Sequence, residues 1–226
     1  MSKILIYTVS YGIPTPDYIS LSCLINKQYS DAHSYEFQEF VLDDDFPRNP
    51  AWGRVWYLKE KLKDYDYMFY IDGDAFFVNQ AVTLNSLMEY MEDPFVCGLF
   101  ARDQMLKDRT FHIDRANAGV FLWKRENDGV KLAQDWWDVP NDKSYDGTFY
   151  DALRYLDHSD SLYHHPYEQL ALWFLWVRNS RSFRFVKDYK ELNGLDGNFV
   201  RHLLKIPNNE RCRIMDGFSK GLKKSM

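Results

Sequence analysis

The sequence predicts an α/β protein in which a mixed, mainly parallel sheet is flanked by helices. Short apolar or β-branched runs at Lys3–Val9 and Tyr65–Ile71 each end in a polar turn. This pattern is typical of buried strands that end at a cleft. An amphipathic helix predicted at 49–63 directly precedes the second run. Strands that alternate with helices in this way favour a parallel sheet with helices on its faces.

The remaining elements follow in order along the chain. Further strands are predicted at 35–42, 94–100, 120–125, 183–186 and 197–202, and further helices at 17–29, 84–91, 128–137, 149–156 and 170–177. A chain of 226 residues is the size of one domain. We expect that domain to span 1–212. The Lys-rich segment 213–226 lacks core residues in this interpretation and is predicted to be disordered.

Composition excludes several classes of protein. Apolar residues make up 46% of the chain and aromatic residues 17%, which is enough for a large core and for rings that line a ligand groove. The net charge of −5 argues against general nucleic-acid or anionic-membrane binding. Cys23, Cys97 and Cys212 show no metal-binding spacing, which favours reduced thiols. No apolar run is long enough to span a membrane, so we expect a soluble, cytoplasmic protein.

The stretch YDYMFYIDGDAFFVN (65–79) carries the strongest chemical signal. Asp72 and Asp74 follow the predicted strand, and Gly73 between them allows a close approach of the backbone. Two carboxylates in a small space repel each other unless a cation compensates. Mg²⁺ and Mn²⁺ prefer such oxygen ligands and often also bind substrate phosphates. A metal–diphosphate site is therefore one interpretation, and a polar turn after a core strand is the other.

Other candidate ligand-binding residues lie where predicted strands end. Thr8, Ser10 and Tyr11 close the first strand, where open α/β sheets bind ligands, and Tyr11 offers a ring that could stack on a base. An ordinary strand-to-helix turn explains these three residues equally well. Arg54, on the helix before the central strand, is a candidate for binding a diphosphate, although single basic residues there usually face solvent.

Three later segments add candidates. Asn117 and Ala118 open the strand at 120–125 with a small corner at which a ligand could approach the backbone. Glu168 and Gln169 fall near the start of a strongly apolar helix. The neighbouring pair His164-His165 is a weaker metal candidate, because paired histidines in loops are seldom ligands.

Taken together, the first strand, YDYMFYIDGDAFFV, NAGVFLWKR, YEQLAL and GNFVRHLL resemble the GT-A nucleotide-sugar glycosyltransferases. The similarity is greatest to glycosyltransferase family 34, the retaining galactosyl-, xylosyl- and α-mannosyltransferases. The plan also resembles compact glycosyltransferases of large DNA viruses. The resemblance implies a GT-A, Rossmann-like fold and transfer, with retention, from a nucleotide sugar to a hydroxyl of a glycan or glycoprotein. UDP is implied more strongly than GDP. Cellular members are Golgi proteins with an anchor, so a Golgi lumen location would follow if one had been removed.

The resemblance also assigns roles to individual residues. It implies that Asp72 and Asp74 hold Mn²⁺ or Mg²⁺ and that His202 completes the metal site. The family usually has glycine two or three residues after this histidine, whereas Leu203-Leu204-Lys205 follow here. Arg54 or Lys205 would share the charge of the diphosphate. It also places Asn117 near the donor sugar, and Glu168 and Gln169 beside the reacting carbon. From their positions at strand ends and turns, we expect a further set of residues to bind the donor: Thr8, Ser10, Tyr11, Gly73 and Ala118.

Two other functions stay open at this stage. A haloacid-dehalogenase-like phosphatase also places Asp-x-Asp after a strand, with the first Asp as the nucleophile. Ala75-Phe76 after the motif differs from the residues that usually follow it in those enzymes. A carbohydrate-binding protein with a vestigial site would keep the same carboxylates and aromatic residues without turnover.

Overall fold

The computed structural model describes residues 2–12, 15–102, 116–141 and 168–225. Within them lie eight strands: β1 (Ile4–Tyr11), β2 (Glu36–Leu42), β3 (Tyr67–Ile71), β4 (Ala75–Phe77), β5 (Gly98–Arg102), β6 (Ala116–Lys124), β7 (Phe183–Phe185) and β8 (Val200–His202). The α-helices are α1 (Asp17–Ala32), α2 (Gly53–Lys61), α3 (Asn85–Met88), α4 (Gly129–Asp138), α5 (Glu168–Arg178) and α6 (Asn208–Ser225). The predicted helix at 149–156 and the pair His164-His165 fall outside the described residues.

Six strands form the main sheet in the order β2-β1-β3-β6-β5-β7. The pairings of β1 with β2, β1 with β3 and β5 with β7 are parallel, whereas β6 runs antiparallel to both β3 and β5. Five strands therefore share one direction and β6 opposes them. The predicted α/β fold with a mixed, mainly parallel sheet is confirmed.

Each face of the main sheet is covered. One face packs against α2, α4 and α5 through a large apolar cluster that includes Val55, Trp136 and Leu172. The opposite face packs against α1 and the small β4–β8 sheet, where the ring of Tyr29 stacks on Phe77 with centroids 3.7 Å apart. This burial on both sides explains why β1 and β3 are nearly continuous apolar runs.

The direction of β6 decides what gathers beyond the end of β3. Because the two strands are antiparallel, with Ile71 opposite Val120, the residues that begin β6 lie beside the residues that follow β3. The small sheet brings a third segment to the same place, since Ala75 of β4 is opposite His202 of β8. Three segments far apart in the sequence thus converge beyond the carboxyl end of β3.

The C-terminal segment differs from its prediction. Residues 213–226 were expected to be disordered, but α6 extends through Ser225. Its apolar side chains Ile214, Met215 and Phe218 pack in a cluster with Ile25 and Phe76, and Met215 is fully buried. The expectation is wrong because these apolar residues, together with Leu222, recur at helical spacing among the lysines.

Among the described residues, the structure contains no helix that is long and apolar enough to cross a membrane.

Candidate active site

Asp72, Asp74 and His202 form a compact cluster beyond the end of β3. One potential ligand atom from each residue lies within 4.8 Å of the other two. The backbone fixes this arrangement: Ala75 N donates to Asp72 O at 2.9 Å, which closes the Asp-Gly-Asp turn, and Leu203 N donates to Asp74 O at 2.9 Å. The cluster that the resemblance implied is therefore brought together by strand pairing.

The imidazole of His202 is fully buried, and Asn193 holds its orientation. Nδ1 lies 3.0 Å from Asn193 Oδ1, which also accepts a hydrogen bond from Gly194 N at 2.8 Å. Because the Asn193 atom accepts from a backbone N–H, it acts as an acceptor, and Nδ1 must carry the proton. Nε2 makes no hydrogen bond of acceptable geometry, although it lies 3.0 Å from Asp74 Oδ1 and 3.6 Å from Asp72 Oδ2. Nε2 is thus directed at the two carboxylates.

Asp72 is held from the side of the sheet. Its Oδ1 accepts a hydrogen bond from the hydroxyl of Tyr70 and lies 3.0 Å from Arg54 Nη2. Its backbone N donates to Gly119 O at 2.9 Å. A Cβ on Gly119 would stand 2.6 Å from Asp72 Oδ2 and 2.4 Å from His202 Cε1, so only glycine fits between the two side chains.

Asp74 is held from the side of α6. Its Oδ2 lies 2.8 Å from Arg211 Nη2, and the side chain is 15% exposed. Burial tends to raise the pKa of this carboxyl, but the adjacent His202 and Arg211 outweigh burial and lower it below its ordinary value. Asp74 is therefore kept ionised.

Arg54 connects the Asp72–Asp74–His202 cluster to α5. Its Nη1 donates to Ala118 O at 2.8 Å and lies 3.6 Å from Glu168 Oε1, while Nη2 contacts Asp72. The guanidinium also lies over the ring of Tyr70, 4.7 Å from its centroid. Burial tends to lower the pKa of Arg54, yet the charges of Asp72 and Glu168 raise it overall, so the cation is permanent.

Glu168 and Gln169 lie in the first turn of α5. Glu168 is 5% exposed, and its buried Oε2 makes no hydrogen bond. Burial raises the pKa of this carboxyl, and the nearby charge of Arg54 only partly opposes the shift. Gln169 Oε1 accepts from Ala118 N at 3.0 Å, so the backbone of Ala118 lies between Gln169 and Arg54.

Comparison with solved structures decides the fold. A glycosyltransferase involved in glycosylation of the major capsid of PBCV-1 has a TM-score of 0.69 at 16% identity, over 95% of this chain and 99% of that one. The galactosyltransferase LgtC, solved with donor and acceptor sugar analogues, has a TM-score of 0.52 at 12% identity, over 94% and 95%. The chain has the GT-A fold. No protein-family model and no curated protein matches the sequence.

A third GT-A structure is a mutant of Drosophila β-1,4-galactosyltransferase 7, solved with manganese, UDP-Gal and xylobiose. Its TM-score is 0.52 at 13% identity, over 92% of this chain and 73% of that one. Identities this low establish the common fold alone. At that level the predicted resemblance to GT-A glycosyltransferases, including a viral one, is confirmed.

The donor set in this GT-A chain is chemically suited to Mn²⁺ or Mg²⁺. The two carboxylates supply the hard oxygen ligands that these ions prefer, and an imidazole nitrogen is a common ligand of divalent transition-metal ions. The buried Nε2 of His202, which makes no hydrogen bond, is suited to bind a metal ion. The other ring nitrogen, Nδ1, is hydrogen-bonded to Asn193 Oδ1, as is usual for histidines that bind metals.

Two of the predicted donor-binding residues, Asn117 and Ala118, lie at the site. There Asn117 Oδ1 accepts a hydrogen bond from Gly119 N at 2.9 Å. Lys205 is exposed, has a positive φ of 60°, and forms no ion pair with any described residue. Gly73 approaches α1, because a Cβ there would stand 3.0 Å from Ile19 Cγ1.

The three residues that end β1 differ in their access to solvent. Thr8 is fully buried and its Oγ1 has no hydrogen-bond partner in the described chain. Ser10 is 2% exposed and donates to Glu39 Oε1 at 2.8 Å. Tyr11 is 50% exposed, so of these three side chains it is the one that a ligand could reach from solvent.

Sequence reasoning missed Arg211, Asn193, Gly119 and Tyr70 as parts of the site. Tyr70 could have been found, because it lies two positions before Asp72 on the same side of β3. Gly119 belongs to the Asn-Ala-Gly corner, but nothing local shows that it faces His202. Arg211 and Asn193 act through contacts that only the tertiary fold creates.

Proposed function

We propose that the chain is a metal-dependent glycosyltransferase. It would move a sugar from a nucleoside-diphosphate sugar, with UDP favoured over GDP, to a hydroxyl of a glycan or glycoprotein, with retention. The observation that carries the proposal is the Asp72–Asp74–His202 cluster beyond the end of β3, in which a buried imidazole nitrogen has no hydrogen bond and faces two carboxylates. The GT-A fold supports it, as does the manganese and UDP-Gal bound to a protein of similar fold.

Asp72, Asp74 and His202 would hold Mn²⁺ or Mg²⁺. When bound there, the ion would supply Lewis-acid neutralisation of the charge that develops on the departing diphosphate. Arg54 contributes indirectly, because its guanidinium is engaged with Asp72, Glu168 and the carbonyl of Ala118. It would add a fixed positive charge to the site without needing to move. Lys205 is exposed, and we propose it as a further contact for the diphosphate.

Glu168 is the proposed catalytic carboxylate. Its Oε2 is buried and makes no hydrogen bond, so it is available to stabilise positive charge at the anomeric carbon or to attack that carbon. Gln169, fixed by Ala118 N, would position the donor sugar together with Asn117. In a retaining reaction the acceptor hydroxyl enters on the face from which the diphosphate leaves, and the departing phosphate accepts the proton of that hydroxyl.

The nucleoside would lie beyond the carboxyl end of β1. We propose that the half-exposed ring of Tyr11 stacks on the base and that Thr8, Ser10 and Gly73 shape the floor of the same cleft. Nucleic acid is not a proposed partner, in keeping with the net charge of −5. We propose the cytoplasm as the place of reaction.

Thermal-shift binding tests the proposal. UDP, GDP, CDP and ADP would each be added with and without Mn²⁺ to the wild type, to Asp74→Asn and to the control Asp216→Asn. The side chain of Asp216 is 47% exposed and pairs with Lys220 on α6. We expect UDP to raise the melting temperature only with Mn²⁺, in the wild type and Asp216→Asn but not in Asp74→Asn.

Absence of a shift with every nucleotide would contradict the glycosyltransferase assignment. A stable phosphoryl group on Asp72 after incubation with a phosphate ester would favour the phosphatase alternative instead. Nucleotide binding without any sugar transfer, in a screen of UDP-sugars and glycan acceptors, would favour a binding protein with a vestigial site.

A further inference from the structure

Each carboxylate of the cluster uses its two oxygens differently. Asp72 Oδ1 is engaged by Arg54 at 3.0 Å, whereas Oδ2 faces His202. Asp74 Oδ2 is engaged by Arg211 at 2.8 Å, whereas Oδ1 faces His202. One oxygen of each carboxylate is therefore occupied by a guanidinium, and the other points toward the imidazole nitrogen.

We propose that Arg54 and Arg211 are fixed counter-charges of the metal site. They restrict Asp72 and Asp74 to one metal-facing oxygen each, and they keep the affinity for a bare divalent cation low until a nucleoside diphosphate binds. The inference rests on the metal site of the proposed function. It adds that binding of the cation and binding of the diphosphate depend on each other.

The charges support this inference. Asp72 and Asp74 together carry two negative charges, and Arg54 and Arg211 together carry two positive charges that no physiological pH removes. The charges of the two carboxylates are therefore already balanced by the two guanidinium groups before any ligand arrives. A diphosphate adds negative charge beside the cation, and by linkage each ligand then strengthens the binding of the other.

Both guanidinium groups are fixed in place, so neither is free to leave when a cation approaches. Arg211 also donates from Nε to Leu203 O at 3.2 Å, and its Cζ lies 4.9 Å from the ring centroid of Tyr18. Its side chain is only 15% exposed, on a helix anchored by the buried Met215. Arg54 is held by the backbone carbonyls of Ala51 and Ala118.

Arg211→Met is the decisive variant, and Mn²⁺ binding is the measurement. Free Mn²⁺ would be followed by electron paramagnetic resonance in titrations with and without UDP. We expect the wild type to bind bare Mn²⁺ weakly and UDP to tighten that binding at least tenfold. Removing a unit charge one carboxylate away from a divalent ion should tighten bare Mn²⁺ binding by about tenfold or more. Without Arg211, the carboxylate of Asp74 can also rotate more freely, and this should weaken Mn²⁺ binding by only about threefold.

Two matched variants separate charge from structure. Arg213→Met removes an arginine from the same helix, but Arg213 is 74% exposed and pairs with Glu210, so Mn²⁺ affinity should not change. Arg211→Lys keeps the charge beside Asp74 and should bind bare Mn²⁺ within about threefold of the wild type. If Arg211→Met does not fold, Arg211→Gln removes the same charge while keeping a hydrogen-bond donor.

The outcomes distinguish this inference from the proposed function. A wild type that binds no Mn²⁺ even with UDP present would contradict the metal site itself. Normal nucleotide-dependent binding in the wild type, combined with unchanged or weaker bare Mn²⁺ binding in Arg211→Met, would overturn only the counter-charge role. Tighter bare Mn²⁺ binding in Arg211→Met and recovery in Arg211→Lys would establish it.

Discussion

The two carboxylates of the candidate metal site are only two residues apart, yet different parts of the protein hold them. Asp72 is fixed by the main sheet and its helix layer, through Tyr70, Arg54 and the backbone of Gly119. Asp74 is fixed by Arg211 on the terminal helix α6. We call these the sheet side and the helix side. One half of the site is thus built into the central core, and the other depends on an element that packs on from outside.

This difference has an energetic consequence. Arg54, on the sheet side, contacts two carboxylates and two backbone carbonyls, so removing it would leave several buried polar groups without a partner. Arg211, on the helix side, ion-pairs with one carboxylate and donates to one backbone carbonyl, Leu203 O. We therefore expect the sheet side to be rigid and costly to change, and the helix side to be adjustable at a smaller cost in stability.

The largest expected effect is on the sheet side. Arg54→Met should lower the free energy of unfolding by about 3–5 kcal/mol, because it leaves the buried Glu168 and the partly buried Asp72 without the cation that they share. Arg211→Met should cost less, about 1.5–3 kcal/mol, because fewer partners are lost. Urea denaturation of both variants without metal or nucleotide measures the difference. Equal losses in the two variants would contradict the distinction between the sides.

The next effect concerns the packing that holds the helix side in place. Met215 is fully buried against Ile25 and Phe76, so Met215→Ala should cost about 2–5 kcal/mol. It should also weaken Mn²⁺-dependent UDP binding, because α6 carries Arg211. Arg213→Ala, at an exposed position of the same helix, should change stability by less than about 0.5 kcal/mol. A fully stable Met215→Ala variant would show that α6 is not anchored in this way.

A smaller effect is expected from closing the space between the ligands. Gly119→Ala places a Cβ 2.4 Å from His202 Cε1 and 2.6 Å from Asp72 Oδ2, so the ligands must move apart. We expect a cost of about 1–3 kcal/mol and a loss of Mn²⁺ binding. The control is Gly217→Ala in α6, where a Cβ meets nothing within 4 Å and should stabilise the helix by about 0.4–1 kcal/mol. Unchanged Mn²⁺ binding in Gly119→Ala would mean that the site tolerates a different spacing.

The two sides also differ in how far the sequence predicts them. The fold was predictable because β1 and β3 are apolar runs with polar ends, and Asp72, Asp74 and Tyr70 all lie within the single stretch 65–79. His202 was found through the resemblance, because it lies far along the chain and reaches the site only through the pairing of β4 with β8.

The helix side was missed for a physical reason. Most residues of α6 are polar or charged, and they conceal an apolar stripe of Ile214, Met215, Phe218 and Leu222. From the sequence, Arg211 cannot be distinguished from an arginine that faces solvent, because its contact with Asp74 forms only when α6 packs against the rest of the protein. The helical spacing of those apolar residues is the signal that would have predicted the helix, although not its partner.

The smallest expected effect separates Asp74 from Glu168 by the sign of a pH dependence. Burial raises the pKa of Glu168 in the folded protein, so the stability that this carboxyl contributes is present below its ordinary pKa and is lost as pH rises through the raised value. Glu168→Gln should therefore gain stability over the wild type as pH rises from about 4 to about 8.

Despite burial, His202 and Arg211 lower the pKa of Asp74, so its contribution to stability is present above the ordinary pKa and is lost as pH falls. Asp74→Asn should then be less stable than the wild type at neutral pH, with the difference shrinking in acid. Urea denaturation of the metal-free proteins across this range is the measurement. The same sign in both variants would show that the two carboxyl groups do not have opposite environments.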